Sequence, residues 1–444
     1  MSKDKKSIFL PELPKGKEFE EYISAYLQSS GYYLDRSIIE RGIEELLELD
    51  IIITDYNFLP RPKLIEIKSG DWGFSDVFKV KGWMSYTGIT KGFFIVQEGR
   101  KNFKFYRDKA KELKVGLYAI PDLDKTAEYL KPLLRNKKIN INDVKTLRYS
   151  FWLEREMLAK IKQMKKSNKN KKCYDALDKY YFNINSGTFF TVNIIDRIEI
   201  LYNNFKDNGR ITAKCANELC GNDFNDDHDI IPHQLFVDTF YLCKYNAIQI
   251  SSLIEYLSKI AILKNTVDYL LLKNSKYKNI TDISISYFAV IDKLDFLPNS
   301  FSRALKILET HKCFSRYPIF WQWFLYVFGG FILLDFKEKE YKLLSEKTGV
   351  EIDEIDNALS AMEILFPSNS GWTKINKQSN ILETTFFPMP FRGIGANYRR
   401  VMYSDNEEPD SYENLKIKNK FAYNDLIKWS NLTVDILHKD KKNK

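Results

Sequence analysis

The stretch Lys63–Ser69, KLIEIKS, constrains the fold more than any other part of this chain. Leu64, Ile65 and Ile67 call for a buried strand, yet Glu66 and Lys68 stand two residues apart within it. Strand side chains alternate with period two, so Leu64, Glu66 and Lys68 share one face while Ile65 and Ile67 share the other. As a mere ion pair in an apolar setting, Glu66 and Lys68 would cost several kcal/mol of desolvation. The apolar run Leu49–Thr54 supplies a second strand, with Asp50, Ile52 and Thr54 on one face and Asp55 of the opposite parity. The two-proline loop between the runs closes a hairpin that sets Asp50 beside Glu66. Adjacent carboxylates repel and raise one pKa unless a cation lies between them. Mg²⁺ is the natural ion, since it takes one or two carboxylates and fills its shell with water or phosphate. Lys68, projecting from the same face, would then meet the bound water or the phosphate.

The surrounding segments read as an α/β unit over residues 1–135. KGKEFEEYISAYLQSSGYY sets Phe19, Tyr22, Ile23, Tyr26 and Leu27 at helical spacing, and Gly31 closes the helix. After KLIEIKS, DWGFSDVFKVKGWMSYTG reads as a helix with Phe74, Val77, Phe78 and Trp83 available for packing. GFFIV (Gly92–Val96) and VGLYAIP (Val115–Pro121) are further strands, separated by the helical RDKAKELK. Helical crossovers before these two strands imply parallel pairing. The expected order is helix, strand, strand, helix, strand, helix, strand, in a mixed sheet flanked by helices.

Asp50, fifteen intervening residues and then Glu66-Ile67-Lys68, behind the helix that carries Glu20, resemble the PD-(D/E)XK nuclease superfamily. LELDIIITD and LIEIKSG look like the versions in Mrr-type restriction enzymes and in nuclease domains of prokaryotic defence effectors. The resemblance covers about residues 15 to 121, and it departs from the family name in having Leu49, not proline, before Asp50. It implies a restriction-endonuclease-like domain with catalytic Glu20, Asp50, Glu66 and Lys68. Asp50, Glu66 and the Ile67 carbonyl would hold Mg²⁺ or Mn²⁺, with Lys79 as an assisting lysine. It further implies phosphodiester hydrolysis, of DNA ahead of RNA, in restriction or anti-phage defence. Partner proteins of a multi-subunit system or a homodimer would accompany it, since one site cuts one strand. Two plainer readings stand beside this one. Glu66 and Lys68 form a cross-strand surface pair on an edge strand, or the protein is a non-catalytic nucleic-acid-binding or assembly protein built on a nuclease-like scaffold.

Beyond the α/β unit, 136–172 reads as a basic linker or helix and 173–444 as a helical recognition or partner-docking region in which strands nearly vanish. YPIFWQWFLYVFGGFILLD carries no charge from Tyr317 to Leu334, but it is short for a membrane span, contains Gln322 and is broken by Gly329-Gly330. A buried helix pair or helix–turn is expected there. Residues 340–366 have the rhythm of a helix-turn-helix, with Gly349 at the corner and Ile352, Ile355, Leu359 and Met362 directed inward. Cys215, Cys220, His228 and His233 are potential zinc ligands, but their gaps of four, seven and four match no standard finger. Five widely spread cysteines and an N-terminus without a signal-peptide core point to reduced thiols and a cytoplasmic setting. Lys and Arg exceed Asp and Glu by 68 to 59, a net +9 compatible with a polyanionic partner. The sequence has no P-loop, so energy-coupled translocation would need another protein.

Overall fold

In the computed structural model the expected hairpin lies at the centre of a five-stranded sheet. The structure describes residues 10–57, 60–135, 137–166, 171–191, 193–205, 246–274, 299–367, 371–377, 380–384 and 388–404. Helix α1 (Lys17–Ser29) leads into β1 (Tyr33–Arg41), β2 (Glu45–Asp55) and β3 (Arg61–Lys68). Helix α2 (Phe74–Thr87), β4 (Gly92–Val96), α3 (Phe103–Glu112) and β5 (Val115–Ala119) follow. The strand order is β1-β2-β3-β4-β5; the first three pair antiparallel and β3-β4-β5 run parallel. KLIEIKS is therefore a central strand, which removes the edge-strand reading of Glu66 and Lys68.

Both faces of the sheet are covered, so the isoleucines of β2 divide between two cores. Ile51, Ile53, Ile65 and Ile67 pack with Phe19, Tyr22 and Ile23 of α1. Ile52 and Leu64 pack with Val77, Val80 and Met84 of α2. A strand buried on both sides needs no polar alternation, which is why Ile51, Ile52 and Ile53 of β2 follow one another. Phe78 departs from expectation: it stays out of the core, 56% exposed, with its ring against that of Phe74.

Strand β1 was not anticipated. Its sequence, YLDRSIIER, carries four charges in nine residues and reads as a loop. Its outer backbone edge is closed by groups from far along the chain. The Gln322 side chain accepts the Leu34 N–H at 3.1 Å and donates to the Leu34 carbonyl at 2.8 Å. Asn185 donates to the Arg36 carbonyl at 2.7 Å, and the Ser186 hydroxyl accepts the Ile39 N–H at 3.0 Å. An otherwise adhesive sheet edge is thereby sealed from within the chain. This also accounts for the one polar residue in the middle of the Tyr317–Leu334 run.

The basic segment after residue 135 forms α4 (Ile141–Lys166), whose Val144, Leu147, Phe151 and Met157 are buried in the same core as α1. Then come α5 (Lys171–Phe182), α6 (Asn246–Asn274), α7 (Asn299–Thr310) and α8 (Tyr317–Tyr326). A single apolar core thus crosses the boundary near residue 135. Strands do recur beyond it: β6 (Phe331–Leu333) follows α8. After α9 (Lys337–Thr348) and α10 (Ile355–Leu365) come β7 (Thr373–Asn376) and β8 (Ile381–Thr384), making a small sheet of order β6-β8-β7, before α11 (Met389–Ser404). The uncharged run is therefore helix, glycine turn and strand. Among the described residues no helix is long and apolar enough to cross a membrane.

At the glycine turn, Gly329 and Gly330 have φ of +66° and +72°. A Cβ on Gly329 would lie 2.5 Å from the Phe391 carbonyl oxygen, and one on Gly395 would run into the Phe328 carbonyl. The turn and α11 therefore approach at backbone distance. Gly395→Ala is expected to cost about 1–3 kcal/mol, read as a lower urea midpoint with an unchanged slope.

The helix-turn-helix outline over 340–366 is present as α9, Gly349 in the left-handed region, and α10. The second helix is not presented to a ligand, however. Ile355, Ala358, Leu359, Met362 and Leu365 are buried, Asn357, Ser360, Glu363 and Ile364 are half-buried, and the acidic Asp356 is exposed. Ile352, expected inward, is 51% exposed in the turn before it. The apolar face of α10 is taken up by the core, and the face left to solvent carries Asp356 and Glu363 and no basic residue.

Candidate functional site

The hairpin register places the two expected carboxylates at the carboxyl end of β3. Pairing runs from Asp55–Arg61 to Ile51–Ile65. One residue further on, Asp50 Oδ2 accepts the Ile67 N–H at 2.8 Å. The Leu64 N–H donates to Lys91 O and the Lys68 carbonyl accepts from Gln97 N, both at 3.0 Å. Alternate peptides of β3 thus face β4, and those of Ile67 face β2, where the Asp50 carboxylate stands.

Both carboxylates are buried, Asp50 at 9% and Glu66 at 8% exposure. Burial, reinforced by repulsion from Glu66, pushes the Asp50 carboxyl up to about 8. Glu20, in the first turn of α1, is pushed up to about 7 by burial and then by Asp50, against the pull of Lys17. Glu66 is also raised, by burial, with Lys79 opposing. One Glu66 oxygen, Oε2, is buried without a hydrogen-bond partner. Three acids therefore share a poorly solvated spot: Glu66 raises Asp50, Asp50 raises Glu20 and Glu20 raises Glu66, while a hydrogen bond with Asp50 pulls Glu66 the other way.

The cations stand differently from the sequence expectation. Lys68 lies on the Glu66 face but turns to Asp76 in the first turn of α2, Nζ to Oδ2 at 3.0 Å. Asp76 also accepts the Gly73 N–H at 2.8 Å and so caps that helix. It is Lys79 that reaches Glu66, at 3.3 Å, with its ammonium 4.1 Å from the centroid of the Trp83 ring. Lys17 bridges Glu20 at 2.9 Å and Glu48 at 2.7 Å. Sequence reading missed Lys17, Glu48 and Asp76. An acid three residues into a helix behind a glycine is a recognised start signal that would have flagged Asp76.

A cleft of about 300 Å³ opens beside Asp50 between α1, the ends of β1 and β2, α4 and α5. Lys17, Glu20, Arg36, Asp50, Arg155 and Phe182 are among its walls. All three of these cations are already paired, Lys17 to Glu20 and Glu48, Arg36 to Glu154 and Arg155 to Glu21.

Among the described residues no three His, Cys, Asp or Glu side chains gather into a metal-holding group. The pair Asp50 and Glu66 remains, together with the Ile67 carbonyl. Hard oxygen donors, a buried Glu66 oxygen without a hydrogen-bond partner and carboxyls raised by burial fit a small divalent cation. Cys215, Cys220, His228 and His233 lie outside the described residues. Comparison with protein-family models, curated proteins and solved structures finds no match to this chain.

The raised acids have a consequence for stability. Their folded-state pKa values lie above the unfolded ones, so the stability of the protonated form is fully present below about pH 4 and is lost as pH rises through about 7 and 8. In chelator, the thermal midpoint is expected to fall across that window more steeply in the wild type than in Asp50→Asn. Parallel slopes would contradict the assignment.

Proposed function

We propose that this protein is a metal-dependent nuclease that hydrolyses phosphodiester bonds, with DNA ahead of RNA as the substrate. The observation that carries the reading is the meeting of buried Asp50 and Glu66 at the end of β3, with Glu20 raised by the same spot. Asp50, Glu66 and the Ile67 carbonyl would hold Mg²⁺ or Mn²⁺. Such an ion would supply a water of lowered pKa and would offset charge on the phosphate. Glu20, close to neutral pH in its proton affinity, accepts or returns a proton from that side. Lys68 and Lys79 stand at the same edge to orient the phosphate and steady its developing charge. Asp76 fixes where the Lys68 ammonium waits. Restriction or anti-phage defence, partner proteins and a homodimer belong to this reading through the resemblance alone.

A second reading has one observation in its favour. With Lys68 held by Asp76 and Lys79 seated on Glu66, the charges are mutually satisfied, as they would be in a non-catalytic scaffold that binds nucleic acid. Incubating the protein with plasmid, single-stranded DNA and RNA, in Mg²⁺, Mn²⁺ or chelator, separates the two. Metal-dependent cutting that Asp50→Ala and Lys68→Ala each remove supports the enzyme; binding without cutting supports the scaffold.

A further inference from the structure

An aromatic row lies where α2 and α3 begin, outside the acid cluster. Phe78 meets Phe74 at 5.3 Å between ring centroids, Phe74 meets Tyr106 at 6.1 Å, and Tyr106 meets Phe105 at 5.7 Å. The two ends of the row, Phe78 and Phe105, are 56% and 59% exposed. Trp72 underlies it, 5.7 Å from Tyr106, and its indole N–H donates to the Glu98 carbonyl at 2.9 Å, tying together the loops that enter the two helices. Single exposed apolar residues are ordinary, but a contiguous row held in place from beneath needs an occupant.

The charge around the row says what kind. From Lys68 to Lys114 there are eleven Lys and Arg against five Asp and Glu, so this stretch holds +6 of the chain's net +9. Lys79, Arg100, Lys101, Lys104 and Arg107 are exposed within it. Aromatic faces interleaved with cations suit a chain that alternates flat bases with phosphates. The row also sits at the carboxyl ends of β3 and β4, the end at which Glu66 and Lys68 stand, and Lys79 follows Phe78 directly while reaching Glu66.

We propose that this row grips an unpaired nucleic-acid strand, bases stacked on Phe78 and Phe105 and phosphates on the surrounding lysines and arginines, and leads it to the acid cluster. In a duplex the base faces are buried in the stack, so a site built from exposed rings selects unpaired strands. What happens to the strand rests on the nuclease reading; the grip does not.

Binding of labelled oligothymidylate, oligouridylate and a hairpin duplex to the full chain, followed by fluorescence anisotropy in chelator, tests it without any cleavage. Phe78→Ala and Phe105→Ala are each expected to weaken single-strand binding about tenfold, and Lys104→Ala to lower the salt dependence by about one counterion. Ile352→Ala, on an exposed turn of the helical region, keeps wild-type affinity. A difference between the thymidylate and uridylate arms tells whether DNA or RNA is the occupant. Equal affinity for the duplex, or unchanged affinity when both rings are removed, overturns the proposal; the second result assigns the row to a protein partner. Ring-dependent binding without metal-dependent cutting leaves this inference standing and sinks the nuclease reading alone.

Discussion

Asp50→Asn should move activity and stability in opposite directions. On the proposed nuclease activity, cleavage in Mg²⁺ is expected to fall by about a thousandfold or more, because the amide keeps the shape but loses the charge that would hold the ion. The same change removes a buried acid whose ionisation the fold opposes, so the metal-free protein should gain stability, most visibly above about pH 8. Asp50 is nearly enclosed, and its repulsion from Glu66 disappears with its charge. The expected pattern is a higher thermal midpoint in chelator, together with loss of the rise that Mg²⁺ gives the wild type. A purely structural Asp50, valued for its hydrogen bond to the Ile67 N–H, would instead give a less stable variant in every buffer. Thermal melts with and without Mg²⁺, beside a cleavage assay, distinguish the two. Stability lost in both buffers with cutting retained would remove Asp50 from the site.

The second large effect concerns the helical region. Arg399 is 2% exposed and Glu340 is fully buried. Arg399 Nε reaches Glu340 Oε1 at 2.5 Å and Nη2 reaches Oε2 at 2.9 Å. Its remaining donors serve the Phe328, Phe331 and Gly395 carbonyls, which belong to the glycine turn, β6 and α11. Glu340 in turn accepts the Tyr403 hydroxyl at 2.9 Å and the Leu333 N–H at 3.0 Å. Every part of this pair is occupied, so removing one partner strands the other's charge. Arg399→Met is expected to cost about 3–5 kcal/mol, and Glu340→Gln in the same chain to recover part of that loss. Urea unfolding of the two single variants and the double variant measures the coupling. A double variant that loses the sum of the two would mean that the ions act independently.

Parity and periodicity carried much of the N-terminal reading. The hairpin, the two parallel crossovers and the facing of Asp50 and Glu66 follow from residues within a few tens of positions of one another. Strand β1 was illegible because its charges, Asp35, Arg36, Glu40 and Arg41, resemble a loop until Glu154 and the backbone-sealing groups of Asn185, Ser186 and Gln322 are brought to it. The helix-turn-helix rhythm was legible too, but rhythm specifies only a helix pair, and the structure spends the apolar face of α10 on the core.

The local sequence alone determined that two acids meet on one sheet face, because strand alternation and a short hairpin leave no other register that buries the isoleucines. Which cations answer those acids was decided only by the tertiary structure. Parity assigns Lys68 a face but not a partner, and the docking of α2 gave Lys68 to Asp76 and Lys79 to Glu66. The burial that lifts the acids' proton affinities likewise came from packing. Desolvation depends on what covers a residue, and here α1, α2 and the helices beyond residue 135 cover the sheet.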